Sequence, residues 1–422
     1  MSPPAGGAHL AIWAIAAAAT AGVIVRPFRW PEAVWACAGA GLLVATGLLP
    51  LGQALEAVGK GGDVYLFLVG MMLLSEVARR EGLFDWVAAA AVNRANRSPR
   101  RLFVLVYAVG VVVTAFLSND AAAVVLTPAV YAAARAARLE PLPYLFICAF
   151  VANAASFVLP ISNPANIVLY GDHVPPLGAW LKSFALPSVA AIAATYVGLR
   201  LVEGRSLPPT CACDQEIAPL SPGGWTALAG IAATAAVLLT VSALDLRLGA
   251  PTCALGVLTA AIVWVRKREA PWATLRHVSW SVLPLVAGLF VLVQALEASN
   301  AIAALAAALT RAQAAAPAAT PWALGGLIAL ASNLMNNLPA GLIASSTLAA
   351  AHPPRAAVDA LLIGVDLGPN LSVTGSLATI LWLTAIRREG EDVGFWRFLK
   401  LGAAVMPPAL MLALAARLLE PL

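Results

Sequence analysis

The chain has 422 residues, of which 61% are hydrophobic and 11% charged, and its formal net charge is +5. Soluble domains carry roughly 25% charged residues, so this composition excludes an ordinary soluble protein and predicts an integral membrane protein. The basic residues lie mostly between the apolar segments, which is typical of a topology signal and not of a nucleic-acid surface. We expect no nucleic-acid partner and no cofactor.

Apolar runs long enough to cross a bilayer core of about 30 Å follow one another along the whole chain. The first half contains runs at about 9–25, 33–50, 64–80, 102–117, 121–134, 142–170 and 182–202. The second half contains runs at about 225–242, 250–265, 282–298, 322–334, 339–350, 357–384 and 399–418. The sequence therefore predicts an all-α polytopic membrane protein with a first repeat at 1–202, a cytoplasmic linker at 203–222 and a second repeat at 223–422.

The two halves also match in sequence, as an internal repeat requires. A shift of about 218 residues places 67–90 on 284–307, and nearly the same shift places LSND at 117–120 on LMNN at 334–337. A slightly smaller shift pairs polar residues further along, Asn153 with Asp366 and Asn163 with Ser376.

Charge indicates that the repeats are inverted. The first half carries a set of basic residues before its polar stretch: Arg79, Arg80, Arg94, Arg97, Arg100 and Arg101. The corresponding segment of the second half carries only Arg311. Because cytoplasmic loops are rich in Arg and Lys, the two halves are predicted to have opposite orientations. Many secondary transporters are built this way, with the binding site near the bilayer midplane.

Each repeat contains a predicted re-entrant helical hairpin. Residues 102–138 begin and end beside arginines, so both ends are assigned to the cytoplasm, and the polar tip Ser118-Asn119-Asp120 falls inside the membrane. A pair of complete spans is the alternative interpretation. The second hairpin, with Asn336 and Asn337 at its tip, would enter from the other side.

A long apolar run follows each hairpin and is interrupted by residues that break helices. Unwound backbone at membrane depth is tolerated only where protein or a cavity satisfies its polar groups, so we predict two discontinuous helices that face the two tips. The alternative for any single Ser or Asn is a hydrogen bond that holds two helices together. The predicted substrate-binding residues are Ser118, Asn119, Asp120, Asn153, Ser162, Asn163, Asn166, Asn336, Asn337, Asp366, Asn370, Thr374 and Ser376.

Three carboxylates are counted within the spans, Glu76, Asp120 and Asp366. Acids inside a membrane commonly relay protons or bind ions, and we predict that Asp120 and Asp366 are the proton-coupling pair. Glu76 either contributes to this site or pairs with the arginines that follow it. No basic residue falls in the polar clusters, which argues against an anionic substrate.

No metal site is predicted. Cys211 and Cys213 lie in the linker without a further Cys or His nearby, which is typical of an ordinary linker. The four histidines lie near span ends and are interpreted as residues of the membrane interface, His9, His173, His277 and His352.

Four segments together resemble the arsenical pump membrane protein family, the arsenite efflux permeases of the ion transporter superfamily. They are FLSNDAAAVVLTP at 116–128, SNPANIV at 162–168, SNLMNNLPA at 332–340 and GVDLGPNLSVTGSLATILWL at 364–383. The resemblance implies export of arsenite and antimonite across a bacterial inner membrane by an elevator-like mechanism. It implies proton antiport as the energy source, or ATP where an arsenite-stimulated ATPase subunit docks on the cytoplasmic face. The positions that match the family's motifs are Asn119, Asp120, Asn163, Asn336, Asn337, Asp366 and Ser376.

Other functions fit parts of the pattern. Amides, hydroxyls and two acids suit neutral arsenous acid, and they suit Na⁺ about as well, so a Na⁺/H⁺ antiporter of the same superfamily is the alternative. A dicarboxylate carrier fits less well because the predicted site lacks a cation. An intramembrane aspartyl protease would carry Gly-x-Gly-Asp, whereas Asp366 lies in Gly-Val-Asp-Leu-Gly.

Overall fold

A computed structural model describes residues 5–171, 174–212, 219–244 and 246–419. Over these ranges the chain is helical and forms no strand. Within them, six helices are long and apolar enough to cross a membrane, and up to eight spans result if each of two bent helix pairs counts as one. The predicted all-α polytopic architecture is confirmed.

The first half begins with five helices, α1 (Ala5–Val25), α2 (Glu32–Ala45), α3 (Leu51–Lys60), α4 (Gly62–Arg80) and α5 (Leu83–Arg94). The predicted hairpin comprises α6 (Pro99–Leu117), the single turn α7 (Asn119–Ala121), a π-helical turn (Ala122–Leu126) and α8 (Thr127–Ala136). The broken helix and the last helix are α9 (Leu142–Ala154), α10 (Pro164–Tyr170) and α11 (Leu177–Val202).

The second half repeats this order. It contains α12 (Pro222–Ala243), α13 (Gly249–Lys267), α14 (Trp272–Leu275), α15 (Val282–Ala298) and α16 (Ala301–Ala315). The second hairpin comprises α17 (Thr320–Met335) and α18 (Asn337–Ala351). The second broken helix and the last helix are α19 (Arg355–Leu367), α20 (Leu377–Arg388) and α21 (Phe395–Leu418).

Both predicted hairpin tips are breaks between helices. Ser118 has φ 132° and Asn336 has φ 73°, values that a helix does not contain. Each of these residues then caps the following helix, since Ser118 Oγ accepts from Ala121 N at 3.4 Å and Asn336 Oδ1 accepts from Leu338 N at 3.3 Å. Short polar side chains at the breaks thus satisfy backbone donors that the helix starts leave open.

Both predicted discontinuous helices are also broken, over residues 155–163 and 368–376. A 3₁₀ turn occupies part of each break, Pro160–Ser162 in the first and Gly368–Leu371 in the second. The residue before the resumed helix is extended and caps it: Asn163 Oδ1 accepts from Ala165 N at 3.0 Å, and Ser376 Oγ accepts from Thr379 N at 3.2 Å.

Helices of one half pack against helices of the other half. The first-half helix α4 packs along α13 of the second half, and the second-half helix α15 packs along α2 of the first half. At the α4–α13 contact, Gly70 faces the backbone of Thr252 and Gly256 faces the backbone of Gly70, so there is no room for a side chain at either glycine. This close approach joins the halves into one body.

Polar contacts at both ends show that α4 and α13 are parallel. At one end Asp63 Oδ1 accepts from Gly249 N at 2.9 Å. At the other, Lys267 pairs with Glu81 at 2.7 Å, and Arg80 pairs with Glu269 at 3.3 Å. The basic residues that end α4, Arg79 and Arg80, and those that end α13, Arg266 and Lys267, therefore lie at the same end of the molecule.

In contrast, α4 and α15 run in opposite directions. Lys60, just before α4, donates to Gln294 Oε1 near the end of α15 at 2.9 Å. Glu76 near the end of α4 shares a cavity with Ser279, which lies just before α15. These two helices are the ones that the shift of about 218 residues superposes.

Candidate functional site

Asp120 lies in a cavity of about 70 Å³ between the first hairpin tip, the end of α4 and the start of α15. Its side chain is half-buried. The other polar groups on the cavity wall are Ser75, Glu76, Ser118, His277 and Ser279, and the rest of the described lining is apolar. There is no Lys or Arg among the described lining residues.

Glu76 belongs to this cavity and to an ion pair at once. Arg79 contacts both of its carboxylate oxygens, at 2.8 Å through Nε and at 2.6 Å through the terminal nitrogen. Glu76 therefore lines the Asp120 cavity and also pairs with Arg79, which are the two environments that the sequence left open. His277, interpreted above as an interface residue, also lines the cavity, and only the tertiary fold brings it there.

Asp366 lies near Asn163, which begins α10 after the first break. Asn163 Nδ2 donates to Asp366 Oδ1 at 2.7 Å, and both side chains are buried. The second carboxylate oxygen of Asp366 is buried without a hydrogen-bond partner in the described part of the chain. Pro164, the residue after Asn163, lines the Asp120 cavity, so the Asn163–Asp366 hydrogen bond holds the chain next to the cavity wall.

A second set of predicted residues forms a closed network between the two broken helices. Asn153 donates to Asn370 Oδ1 at 3.0 Å and accepts from Ser376 Oγ at 3.1 Å. Asn370 in turn donates to the backbone oxygen of Phe150 at 3.0 Å. Both amides are fully buried. Each of these hydrogen bonds is made to another group of the protein, so the network connects α9 to the second break.

Near the second tip, the structure adds a residue that the sequence analysis missed. Asn333 donates to the backbone oxygen of Gly368 at 2.9 Å and accepts from Ser372 N at 3.0 Å and from Ser372 Oγ at 2.8 Å. Thr374 Oγ1 donates to the backbone oxygen of Asn333 at 3.0 Å. The available signal was its place in SNLMNNLPA, at the end of the helix that leads to the predicted tip at Asn336 and Asn337.

The remaining predicted residues fasten backbone at the breaks. Asn119 Oδ1 accepts from Asp120 N at 2.9 Å, and Asn337 N donates to the backbone oxygen of Gly375 at 2.9 Å. Ser162 Oγ donates to the backbone oxygen of Ala115 at 2.9 Å, which ties the first break to α6. Asn166 donates to the backbone oxygen of Ser156 at 2.8 Å.

The count of three carboxylates within the spans was wrong, because Asp359 on α19 is also buried. Arg417 on α21 donates to its Oδ2 at 2.7 Å, and Tyr170 on α10 donates to its Oδ1 at 3.0 Å. The two partners come from distant parts of the chain, which is why the local pattern around Asp359 did not reveal a buried ion pair.

The linker cysteines are only partly described. Cys211 is buried and its backbone donates to the oxygen of Arg97 at 3.1 Å. Cys213 and His173 lie outside the described residues.

Comparison with known proteins agrees with the membrane architecture. Residues 11–368 match the family model described as CitMHS, citrate transporter. The arsenical pump membrane protein of Escherichia coli is 26% identical over 398 residues, which cover 90% of this chain and 91% of the relative. The arsenical pump membrane protein of Yersinia enterocolitica is 28% identical over 369 residues, 82% of this chain and 84% of the relative.

A solved structure shares the fold. The YdaH transporter of Alcanivorax borkumensis, described as having an unusual topology, superposes with a TM-score of 0.59 at 17% identity and covers 87% of this chain and 86% of its own. The resemblance to arsenical pump membrane proteins drawn from the motifs is confirmed. The chain is a multi-pass membrane transporter and belongs to the citrate transporter (CitMHS) family.

Proposed function

We propose that this transporter exports arsenite and antimonite from the cytoplasm across a bacterial inner membrane in exchange for protons. The observation that carries the proposal is the chemistry of the Asp120 cavity, whose described lining offers carboxylates, hydroxyls and the His277 imidazole, and no Lys or Arg. Arsenous acid is a neutral trihydroxy molecule at pH 7, so it needs hydrogen-bond partners and no fixed cation. The names of the arsenical pump relatives support the same substrate.

The same cavity argues against citrate, despite the description of the family model. A citrate anion would lie against the Asp120 carboxylate without a Lys or Arg in the described lining to neutralise it. Arg79, which contacts Glu76 of the lining, is already paired with that carboxylate. Like charges placed together in a partly dry site repel one another strongly. A volume of about 70 Å³ also suits a solute the size of a few water molecules.

Proton coupling is assigned to Asp120 and Asp366. Asp120 meets the cavity, and Asp366 holds Asn163 at the start of α10 while its other oxygen has no partner in the described chain. A proton that binds Asp366 turns an acceptor into a donor and so changes the hydrogen bonding at the helix break. Proton movement is thereby connected to movement of α10.

Two inverted repeats and an elevator-like movement complete the proposal. The antiparallel arrangement of α4 and α15 supports inversion, because these helices hold equivalent places in the two halves. The close glycine contact of α4 with α13 suits a fixed scaffold. The hairpins and broken helices then form the moving part, which carries the Asp120 site past that scaffold.

A Na⁺/H⁺ antiporter is the second candidate. The observation that favours it is the buried, unpartnered carboxylate oxygen of Asp366 in the described chain, since hard cations bind oxygen ligands. Both candidates use the same acids, so the transported solute must distinguish them.

Reconstitution of the chain alone into proteoliposomes tests the proposal, with the cytoplasmic face outward and the lumen acidic. We expect arsenite to accumulate in exchange for luminal protons without an added ATPase subunit. Uptake only when an arsenite-stimulated ATPase is added would instead make the chain the membrane subunit of an ATP-driven pump. Sodium-dependent collapse of the pH gradient without an arsenite effect would favour the antiporter.

Two variants test the coupling acids in the same vesicles. Asp120→Asn and Asp366→Asn are expected to lower gradient-driven arsenite uptake at least tenfold, because neither amide binds a proton near neutral pH. Glu56→Gln is the control, since the Glu56 side chain is 70% exposed and lies outside the cavity. Normal, proton-coupled uptake by both Asp variants would contradict the assignment.

A further inference from the structure

A second polar cavity, of about 240 Å³, lies at the other end of α4. It is enclosed by the end of α3, the start of α4, α10, the end of α15 and α18. Its polar lining residues are Lys60, Asp63, Gln294, Glu297, Ser345 and Ser346. None of these residues belongs to the site described above.

The second cavity is the counterpart of the Asp120 cavity under the internal repeat. Gln294 occupies in the second cavity the place that Glu76 has in the first, at the shift of about 218 residues. The later segments match at slightly smaller shifts. These shifts pair Leu342 of the second cavity with Val125 of the first, and Val168 of the second cavity with Leu381 of the first. Because α4 and α15 are antiparallel, equivalent cavities fall at opposite ends of this helix pair.

The polar groups of the two cavities lie far apart on α4, although their apolar walls come as close as Val64 and Leu68. Asp63 and Ser75 line the second and the first cavity respectively. Twelve residues separate them on one helix, which corresponds to about 18 Å at 1.5 Å per residue. The Arg79–Arg80 end of α4 lies at the first cavity, so the rule for basic loops places the second cavity toward the other side of the membrane.

The short helix α10 separates the two cavities. Its first residue, Pro164, lines the first cavity, and Ile167, Val168 and Gly171 line the second. Ile167 and Val168, together with Leu342 of α18, form an apolar part of the wall. The start of α10 is held by the Asn163–Asp366 hydrogen bond at 2.7 Å, and Asn166 and Tyr170 bond the rest of this helix to Ser156 and Asp359.

We propose that the second cavity is a binding site on the extracytoplasmic side, from which a small neutral hydroxylated solute leaves the protein. The serines at 345 and 346 are half-buried and provide hydroxyl groups. The Lys60 ammonium donates to Gln294 and is outnumbered in the lining by the carboxylates of Asp63 and Glu297, which disfavours an anionic solute. The class of solute rests on the proposed function, whereas the existence and sidedness of the site rest on the two cavities alone.

Sidedness is tested first with cysteine substitutions, Ser346→Cys in the second cavity and Ser75→Cys in the first. A membrane-impermeant maleimide should label Ser346→Cys in right-side-out vesicles at least five times faster than in everted vesicles, and Ser75→Cys in the opposite order. Labelling above that of the unsubstituted chain is the measured quantity, because the chain has cysteines of its own. Equal labelling of Ser346→Cys from both sides, or faster labelling from the cytoplasmic side, would overturn the proposal.

Release is tested by filling the cavity with Ser346→Phe, with Ala350→Phe as the matched control on the exposed side of the same helix. Stabilisation of the purified protein by arsenite measures binding, and uptake into everted vesicles measures transport. We expect Ser346→Phe to retain arsenite binding and to lose transport at least tenfold, while the control retains both. Normal transport, or loss of binding together with transport, would contradict a separate release site.

The two tests also separate failure of this inference from failure of the proposed function. If the unsubstituted protein neither binds nor transports arsenite while Ser346→Cys is labelled from the extracytoplasmic side, the cavity stands and only the solute is wrong. If Ser346→Phe does not fold, the labelling experiment still decides the location of the site, because Ser→Cys changes a single atom.

Discussion

The polar residues at the helix breaks differ in whether the protein uses their hydrogen-bonding groups. Asn153 and Asn370 are buried and bonded to each other and to groups on neighbouring elements. Asp366 is equally buried but has one oxygen with no partner in the described chain. A buried polar atom without a partner is costly, and this cost is the physical reason for the proposal that Asp366 binds a proton during transport.

The Asn163–Asp366 contact gives a prediction at the scale of single residues. Asn163→Ala removes the donor to Asp366 and the cap of α10, and we expect it to lower stability by about 2–4 kcal/mol. Asp366→Asn keeps an oxygen that accepts from Asn163, so its loss of stability should be smaller than about 2 kcal/mol. Thermal unfolding in detergent measures both.

Thr240→Ala is a suitable control for that comparison, because Thr240 is exposed and its hydroxyl bonds only within its own helix. If Asn163→Ala unfolds at the temperature of this control, the contact with Asp366 does not stabilise the break. A larger loss for Asp366→Asn than for Asn163→Ala would show that the carboxylate's charge, and not its hydrogen bond, holds α10.

At the scale of elements, the helices end where backbone conformation requires it. Asn336 at the second tip has φ 73° and ψ 152°, a conformation that costs a non-glycine residue about 1–3 kcal/mol. Its side chain offsets part of this cost because its oxygen accepts from Leu338 N. The tip is therefore a strained turn in which one amide, that of Asn336, is both the helix cap and the proposed ligand.

Substitution of Asn336 separates these contributions. Asn336→Gly relieves the strain, and glycine replaces a cap at a cost of only a few tenths of a kcal/mol, so stability should stay the same or rise. Asn336→Val adds a β-branched side chain at positive φ and should lower stability by at least about 2 kcal/mol. Thermal unfolding distinguishes the two variants.

Transport by the glycine variant then tests the place of Asn336 in the substrate site. We expect arsenite uptake to fall about tenfold although the protein remains folded, because the amide is a proposed ligand. Uptake at the level of the unsubstituted protein would remove Asn336 from the site and leave it as a cap.

At the scale of the molecule, neither half is a self-contained unit. Helix α4 of the first half packs against α13 of the second half, and α15 of the second half packs against α2 of the first. The Gly70–Gly256 contact brings α4 and α13 so close that backbone meets backbone. This arrangement suits the fixed scaffold of the proposed elevator-like movement.

Gly256→Val should disrupt this scaffold. The added side chain would collide with the backbone of Gly70, which cannot move aside as a flexible side chain can, and overpacking of this kind costs about 1–3 kcal/mol or more. We expect a clear loss of folded protein, measured by size-exclusion chromatography after detergent extraction. Gly41→Val is the matched control, because a side chain at Gly41 meets nothing within 4 Å; equal yields of both variants would contradict a rigid α4–α13 contact.

Much of this organisation follows from the sequence alone. The membrane class, the order of helices and the positions of the breaks at Ser118, Asn336 and Pro160 depend on composition and on residues that act on their own backbone. Such local effects are visible in any stretch of the chain. The internal repeat is likewise a prediction from sequence, because the rare polar residues recur at nearly constant spacing.

The tertiary structure alone decided which polar groups meet. It places Asp366 against Asn163, brings Glu76 and His277 to the Asp120 cavity, and pairs Asp359 with Arg417. Most of these partners are far apart in sequence, and helical periodicity specifies which face of a helix is apolar but not which distant helix packs against it. The sequence therefore determined where polar groups interrupt the membrane helices, and packing between the halves determined which of them are bonded to protein and which face a cavity.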